Sequence, residues 1–368
     1  MTGMIRYLKI ANYRSIDVLE LRDLKPFSVF AGPNGAGKTN FFQALDLVNL
    51  VIRFSADEAL KQHGGWENIR CWRRHDTEAR TFEFEIDFST ENAGCNHYHL
   101  KIHHLDNASL LEEKFQWLDE VGKMQQIHRV PSEPIQLGDN TVALPANFSM
   151  LLVLFNHTAM AQFLKNIRFY RIDPLKARMP VKNTDTSELD HDGRNLAGVL
   201  HRLGKDEEIS ETIDEWMNLM VPSLEKISTD WDQLDGSVRL AFQEHALEKR
   251  FPASMISEGT INLLSILVAL FDRPLPFGIT LCDEPESSLH PHAVIELVDS
   301  FREIATLNSP IWVTTHHDSL VRVLKNSELW LVDKKTDVTS MKSVQIVDKL
   351  SSPLDQAWLC NVLGGGLP

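Results

Sequence analysis

The segment Gly32-Pro33-Asn34-Gly35-Ala36-Gly37-Lys38-Thr39 sets glycines, a lysine and a hydroxyl at the spacing G-x-x-x-x-G-K-[ST]. The chemistry such a segment can do is to grip a triphosphate. Glycines let the backbone turn tightly enough for successive N–H groups, here around Asn34, Gly35 and Gly37, to converge on phosphate oxygens, and a helix opening there adds the positive end of its dipole. Lys38 is expected to reach the β- and γ-phosphates, the Thr39 hydroxyl to hold Mg²⁺, and Asn40 to follow within the first helical turn. ATP and Mg²⁺ are the expected cofactors. A plain glycine turn is the alternative reading. It is disfavoured because the apolar run Phe27 to Phe30 precedes the loop and the helix-like Asn40 to Val51 follows it, the order a phosphate site needs.

Three further segments carry groups that a bound triphosphate would use. The short apolar run Ile279-Thr280-Leu281-Cys282 ends in Asp283 and Glu284. Asp283 is expected to orient the Mg²⁺ shell. Glu284, sent to the other face by strand alternation, is expected to polarise the attacking water as the catalytic base. Trp312-Val313-Thr314-Thr315 is a second apolar run, and it ends in His316, expected at the γ-phosphate, with His317 a bystander opening the next helix. Ser257-Glu258-Gly259-Thr260 precedes an apolar stripe of Ile261, Leu263, Leu264, Ile266, Leu267 and Leu270. Ser257 sits where an N-cap belongs, and a helix start with a hydroxyl and a glycine is a second anion site; an ordinary capped core helix shares the pattern.

These groups act together only if the elements bearing them meet at one edge. About thirty residues separate the acid pair from His316, the length of one β-α-β unit that returns the chain to the neighbouring parallel strand. Elsewhere, Thr81 to Phe88, His97 to Leu105 and Glu113 to Leu118 alternate as strands of a meander. Ser149 to Ile167 reads as a helix. Residues 194–227 read as helical, with Leu196, Val199, Leu200, Leu203, Ile209, Ile213, Trp216 and Leu219 forming stripes before Pro222.

Phosphate loop, long insertion, S-x-G-x, apolar-Asp-Glu and Thr-His, in this order, resemble the ABC-type ATPase heads of the SMC, RecF and OLD-like group. Arg171-Ile-Asp-Pro174, Asp192 to Leu200 and the D-E-P-E-x-x-L-H run Asp283 to His290 resemble its compact stand-alone members. The resemblance implies an α/β P-loop NTPase with the mixed sheet of an ABC-ATPase-type head, a β-meander and an inserted helical lobe. Residues 1–60 would form the first half of the head, 61–145 the meander, 146–245 a mainly helical lobe, and 246–368 the second half with the tail. It also implies a homodimer that sandwiches ATP, with Ser257 and Gly259 serving the other subunit's γ-phosphate, so that a twofold pair turns two half-sites into two whole ones. Ser288, Leu289 and His290 would lie on the loop crossing that interface, although His290 replaces the aspartate common in SMC proteins. Asn12 and Arg14 resemble a turn that sets a basic residue near the nucleotide; a surface turn reads equally well. No glutamine loop is apparent. The implied role is a nucleotide-gated switch that clamps DNA or controls a separate effector or nuclease in anti-phage defence, the alternative being a RecF-like repair ATPase. A transporter subunit would read LSGGQ at the signature. OLD-type nucleases add a TOPRIM domain, for which little chain follows Glu328, so no nuclease activity is expected here.

Composition narrows the partners. With 51 acids against 37 bases the net charge is −14, which gives no general support for polyanion binding. Trp66, Arg70, Trp72, Arg73 and Arg74, and the stretch Lys165, Arg168, Arg171, Lys176, Arg178 and Lys182, are the local basic patches that DNA would use, as the resemblance to DNA-clamping heads implies; solvated faces around a core tryptophan are the alternative reading. No apolar run is long enough to span a membrane and no signal sequence opens the chain, so the protein is expected in the cytoplasm. Cys71, Cys95, Cys282 and Cys360 lack C-x-x-C spacing and read as reduced thiols. His97, His99 and His103 share one strand face that could hold zinc, but supporting carboxylates and paired cysteines are not apparent, and a solvated strand is the plainer reading. The tail 353–368 is apolar for a terminus, either a docking segment or a last helix on the head.

Overall fold

Two six-stranded sheets organise the chain, one antiparallel and one mostly parallel, in a computed structural model that describes residues 3–72, 80–90, 94–105, 108–119, 121–182, 188–245, 249–272, 277–344 and 354–360. The hairpin β1 (Gly3–Tyr13) and β2 (Ile16–Arg22) leads to β3 (Phe27–Ala31), whose end opens into the loop before α1 (Lys38–Arg53). After α2 (Ala56–Gln62) and α3 (Trp66–Ile69) come the meander strands β4 (Thr81–Thr90), β5 (Gly94–Leu105), β6 (Ala108–Leu118) and β7 (Met124–Arg129), then the small hairpin β8 (Ile135–Leu137) and β9 (Asn140–Val142). Next follow α4 (Met150–Val153), α5 (Ala159–Lys165), β10 (Ile167–Tyr170), α6 (Pro174–Ala177), β11 (Val181–Lys182), α7 (Leu196–Leu203) and α8 (Glu207–Met220). The chain then runs through β12 (Leu224–Trp231), β13 (Ser237–Glu244), β14 (Arg250–Pro252), α9 (Glu258–Phe271), β15 (Ile279–Asp283), α10 (Pro291–Ile304) and β16 (Ile311–Thr315). It closes with α11 (Asp318–Arg322), β17 (Leu329–Lys335), β18 (Val338–Ser343) and α12 (Leu354–Leu359).

The central sheet has the order β10-β15-β16-β3-β17-β18, parallel except for β18. Helix α10 makes the β15-to-β16 crossover, so the acid pair and His316 end adjacent strands, as their spacing predicts. Period-two alternation splits the sheet between two cores. Phe30, Leu281, Trp312 and Trp330 face α1 and the antiparallel sheet β2-β1-β4-β5-β6-β7, whereas Val29, Ala31, Cys282, Val313 and Leu331 face α9 and α10. Helix α9 is buried along nearly its whole length, which explains an apolar stripe wider than an amphipathic surface helix would show. Glu113 breaks the apolar face of β6 and is fully paired there, with Arg129 at 2.9 Å, the Tyr98 hydroxyl at 2.6 Å and the Met150 amide at 2.8 Å.

Local signals reshape two expected helices. The single helix expected over 149–167 is two, α4 and α5. Ser149 caps the first at the Leu151 amide (3.1 Å), Thr158 restarts the chain by capping the Ala161 amide (3.3 Å), and Ile167 begins a strand beside β15. In 194–227, Asp206 caps a second helix at the Ile209 amide (3.3 Å), and Leu224 to Ile227 belong to β12. The interval 146–245 therefore carries β10 of the central sheet and the layer β11-β13-β12 as well as its helices. Its short apolar runs read as helix stripes because periodicity alone cannot separate a buried strand from a helix turn.

Candidate nucleotide site

The loop 32–37 enters α1 through Gly37, whose φ of 100° puts it in the left-handed region, and no side chain caps the helix start. The first N–H groups of α1 are thereby left for an anion. A Cβ on Gly37 would fall 1.9 Å from Thr339 Oγ1, so glycine is required by space as well as by φ. Thr339 is a brace that lies far away in sequence. Its hydroxyl donates to the Ala36 carbonyl (2.9 Å), its amide donates to the Ser15 carbonyl (2.8 Å), and Asn40 Nδ2 donates to Ser15 Oγ (2.7 Å). Lys38 is buried and donates to the Gly32 and Pro33 carbonyls at 2.8 and 3.0 Å. Burial lowers its pKa, while Glu284, Asp283 and Glu286 work to raise it.

Asp283 sits at the end of β15 with both carboxylate oxygens 3.1 Å from Thr39 Oγ1, and Thr314 on the adjacent strand also donates to it. Arg171 Nε lies 3.7 Å from Asp283 Oδ2. Burial raises the Asp283 pKa, with Thr314, Arg171 and Thr39 opposing. A threonine hydroxyl and a carboxylate facing each other beside a helix start are the oxygen donors Mg²⁺ takes in phosphate sites. Glu284 departs from the strand alternation, because its φ of 52° turns the backbone off the strand. Its amide donates to the Thr314 carbonyl (3.1 Å), and its Oε1 lies 2.7 Å from His316 Nδ1. The acid and the histidine are thus one pair. His317 is the N-cap residue of α11, and its pKa is lowered by burial and by His316.

Ser257 is exposed at the start of α9, where its Oγ accepts from the Thr260 amide at 3.1 Å. Gly259 is buried against the loop that follows Glu284, and a Cβ there would come within 2.4 Å of the Ser288 carbonyl oxygen. Asn262 fastens the same loop, donating to the Pro285 and Ser287 carbonyls at 2.9 and 3.2 Å. Ser288 has a φ of 65°, and His290 caps α10 at the His292 amide (3.3 Å). Helix α9 and the acid pair are therefore one packed unit, and Glu258, Asn262, Asp283, Glu284 and Arg171 line a cleft of about 180 Å³. Arg14, with a φ of 49°, reaches the first turns of α1 through Gln43 and Asn40 (3.5 Å). Asn12 ties the Cys71 amide (2.9 Å) to the Thr81 carbonyl (2.6 Å), a bracing role.

The basic patches look different once folded. Trp66 is buried and stacks on His104, Arg70 pairs with Glu67 at 2.7 Å, and Trp72 is 77% exposed; Arg73 and Arg74 lie outside the described residues. Arg168 forks onto Glu188, Arg171 faces Asp283 and Lys176 meets Asp192 at 2.8 Å, so much of the second stretch is already matched to acids. Within the tail, α12 packs Leu354 and Trp358 into the core beside α11, and 361–368 lie outside the described residues.

Sequence reading missed Thr339, Asn262, Thr314 and Glu286, which act through contacts between distant segments. Glu286 is buried. Its Oε1 accepts from Thr315 and its Oε2 has no hydrogen-bond partner among the described residues. Burial pushes its pKa up to about 8, from 4.5. Between these values the folded state holds a proton that the unfolded state has released, so this group's contribution to stability is whole below about pH 4.5 and falls as pH rises toward 8. Glu286→Gln is expected to flatten that decline, a difference on the order of a few kcal/mol in urea unfolding between mildly acidic and mildly alkaline buffer. Parallel slopes for wild type and variant would show that the buried carboxyl does not set it.

A family profile described as "AAA domain, putative AbiEii toxin, Type IV TA system" matches residues 27–94 and 113–322. A protein named OLD nuclease from Thermus scotoductus is 24% identical over 356 residues; the match covers 88% of this chain and 62% of that protein, so the chain spans about three-fifths of its relative's length. Among solved structures, an SMC head bound to the C-winged helix domain of ScpA superposes with a TM-score of 0.58 at 15% identity, over 95% of this chain and 100% of that one. An SMC head with an extended coiled coil, bound to the C-terminal domain of ScpA derived from Pyrococcus furiosus, gives 0.50 at 13% identity, over 93% and 96%. Among the described residues, no helix is long and apolar enough to cross a membrane.

Proposed function

The chain belongs to the family described as AAA domain, putative AbiEii toxin, Type IV TA system, and has the fold of an ABC-type ATPase head; from that premise we propose that it is a Mg²⁺-dependent ATPase working as a nucleotide-gated dimeric switch. The observation that carries the proposal is the convergence of Lys38, Thr39, Asp283, Glu284 and His316 at one edge of the central sheet, while Ser257 stands exposed at a separate helix start. The residues fit the implied cofactors. A Cβ on Gly35 would meet nothing within 4 Å, so the loop is open there; the helix start behind Gly37 is uncapped, and Thr39 faces a carboxylate.

Bound MgATP would supply an electrophilic γ-phosphorus with part of its charge neutralised by the metal. The chain's own groups do the rest. Lys38, now on two loop carbonyls, turns its ammonium to phosphate oxygens. Thr39 and Asp283 would hold the metal, with Thr314 fixing the carboxylate's direction. Glu284 takes the proton of the attacking water, and His316 holds Glu284 in the orientation that does so. Ser257 and the N–H groups of α9 cover the γ-phosphate of the opposite subunit. The loop contact at Ser288 and the two bonds from Asn262 then link occupancy of one site to the face offered to the other.

Action in trans has a direct test. Ser257→Arg and Lys38→Ala should each be inactive, yet an equal mixture should recover about a quarter of the wild-type rate, because half the dimers mix and each mixed dimer keeps one intact composite site. A mixture as dead as its components would sink the shared site.

We read the switch as reporting to a separate protein in bacterial anti-phage defence. The family's description names a toxin–antitoxin system, and the SMC heads of similar fold were solved with a protein partner. DNA is the less supported output, since Arg168, Arg171 and Lys176 already face acids, and the RecF-like repair reading weakens with it. Capture of a partner protein by the native chain with ATP but not without it supports this output; ATP-dependent capture of DNA alone favours the repair reading. In the proposed division of labour, cutting belongs to another polypeptide, and nicking of supercoiled DNA by the purified chain would contradict it.

A further inference from the structure

The outer face of the antiparallel sheet holds a cluster that the nucleotide chemistry does not use. Along β4, Phe82, Phe84, Ile86 and Phe88 point into the core, which leaves Glu83, Glu85 and Asp87 on the opposite face; along β5, Tyr98, Leu100 and Ile102 point inward and His97 and His99 outward. The register sets Glu85 directly across from His99 and Asp87 across from His97. The carboxylates overlooked in the sequence are thus on the neighbouring strand. His103 leaves the group, since it is bonded to Glu112 (3.1 Å) and Thr81 (3.0 Å), and Cys95 is not among the clustered ligand atoms.

We propose that Glu83, Glu85 and His99 form a binding site for one Zn²⁺ ion, with water completing the coordination. One ligand atom from each lies within 4.8 Å of the other two. A tetrahedral zinc site with bonds near 2.1 Å separates its ligands by about 3.4 Å, so ligand atoms that now lie within 4.8 Å of one another must draw together by at most about 1.4 Å. Two carboxylates and one imidazole suit Zn²⁺ better than Mg²⁺ or Ca²⁺, which take all-oxygen shells.

The surroundings match a metal site. Glu83 offers Oε1 to His99 at 2.8 Å, while its Oε2 is steadied by Lys9 at 3.0 Å. Beside it, His97 sits between Asp87 (2.7 Å) and Glu85 (3.7 Å), an orienting chain for the second carboxylate. Lys101, which faces Glu83 in register, is drawn away to Glu112 at 3.4 Å. Among the described residues, Glu83, Glu85 and Asp87 have Lys9 bonded to Glu83 and Lys114 of β6 across from His99, so acids are in excess around the cluster and a divalent ion offsets it. Such an ion would cross-link β4 and β5 on the outer face of the sheet.

The test uses tag-free, chelator-stripped full-length protein without nucleotide or Mg²⁺. Calorimetric titration with Zn²⁺ should show one strong site per chain, and Co²⁺ should give the visible d–d bands of a low-coordinate site. Glu85→Gln and His99→Ala should each weaken binding at least ~10-fold and remove the Co²⁺ bands. Both side chains face outward, and circular dichroism checks that the variants fold. His128→Ala, whose ring lies 3.6 Å from Glu112, should bind as wild type, and so should Asp283→Ala, which separates this site from the nucleotide metal. Absence of stoichiometric Zn²⁺ binding by the wild type overturns the proposal, as does wild-type affinity in both ligand variants.

Discussion

Lys38→Ala is expected to abolish ATP binding, lowering affinity at least ~100-fold in titration with a fluorescent analogue. Lys38 is buried with its ammonium already engaged by two carbonyls of its own loop, so its contacts with phosphate oxygens would be charge-assisted bonds in a partly dehydrated site, each on the order of 1.5–3 kcal/mol. Folding should suffer less than binding. Alanine removes two hydrogen bonds but also relieves the desolvation that lowers the lysine pKa, and the loop stays braced by Thr339 and Asn40. Thermal melting separates the two effects. A folded variant with affinity within a few-fold of wild type would mean that the glycine loop serves another purpose.

Glu284→Gln should separate binding from hydrolysis. Lys38, Thr39 and Asp283 are untouched, so ATP should bind as before, while loss of the base should slow turnover by roughly 10²–10⁴-fold. The amide keeps the shape of the side chain and can still meet His316, so the loop beyond it should hold its position against α9. In the proposed switch the variant accumulates as an ATP-bound dimer, visible by light scattering after gel filtration. Near-normal turnover would remove Glu284 from the base role. Slow turnover with no dimer would leave the base in place and count against the sandwich.

Much of this site was legible before folding because its groups terminate strongly patterned elements. The glycine loop stands between a strand and a helix, and Asp283 and His316 each follow a short apolar run of the length and β-branched content of a buried parallel strand. Glu284 was singled out for its chemistry, with its direction taken from strand alternation, and the backbone leaves the strand at that residue. Alternation holds within a strand, and a positive φ ends it. Thr339 and Asn262 were illegible for a different reason. A threonine in an edge strand and an asparagine in an apolar helix carry no signal until β18 is laid behind the phosphate loop and α9 against the loop after β15.

The covalent order of residues by itself settled the chemistry on offer: which atoms can grip phosphate, which acids follow a strand and which helix opens with a hydroxyl. These depend on side-chain identity and on neighbours a few positions apart, where periodicity and capping operate. Only the tertiary structure decided which groups face one another. It joined His316 to Glu284, matched Arg168 and Lys176 to acids, and set Glu83 and Glu85 beside His99. Such pairings arise from strand order and register, which are fixed by burying both faces of the central sheet and one face of the outer sheet at once, a condition on the whole chain that no short window contains.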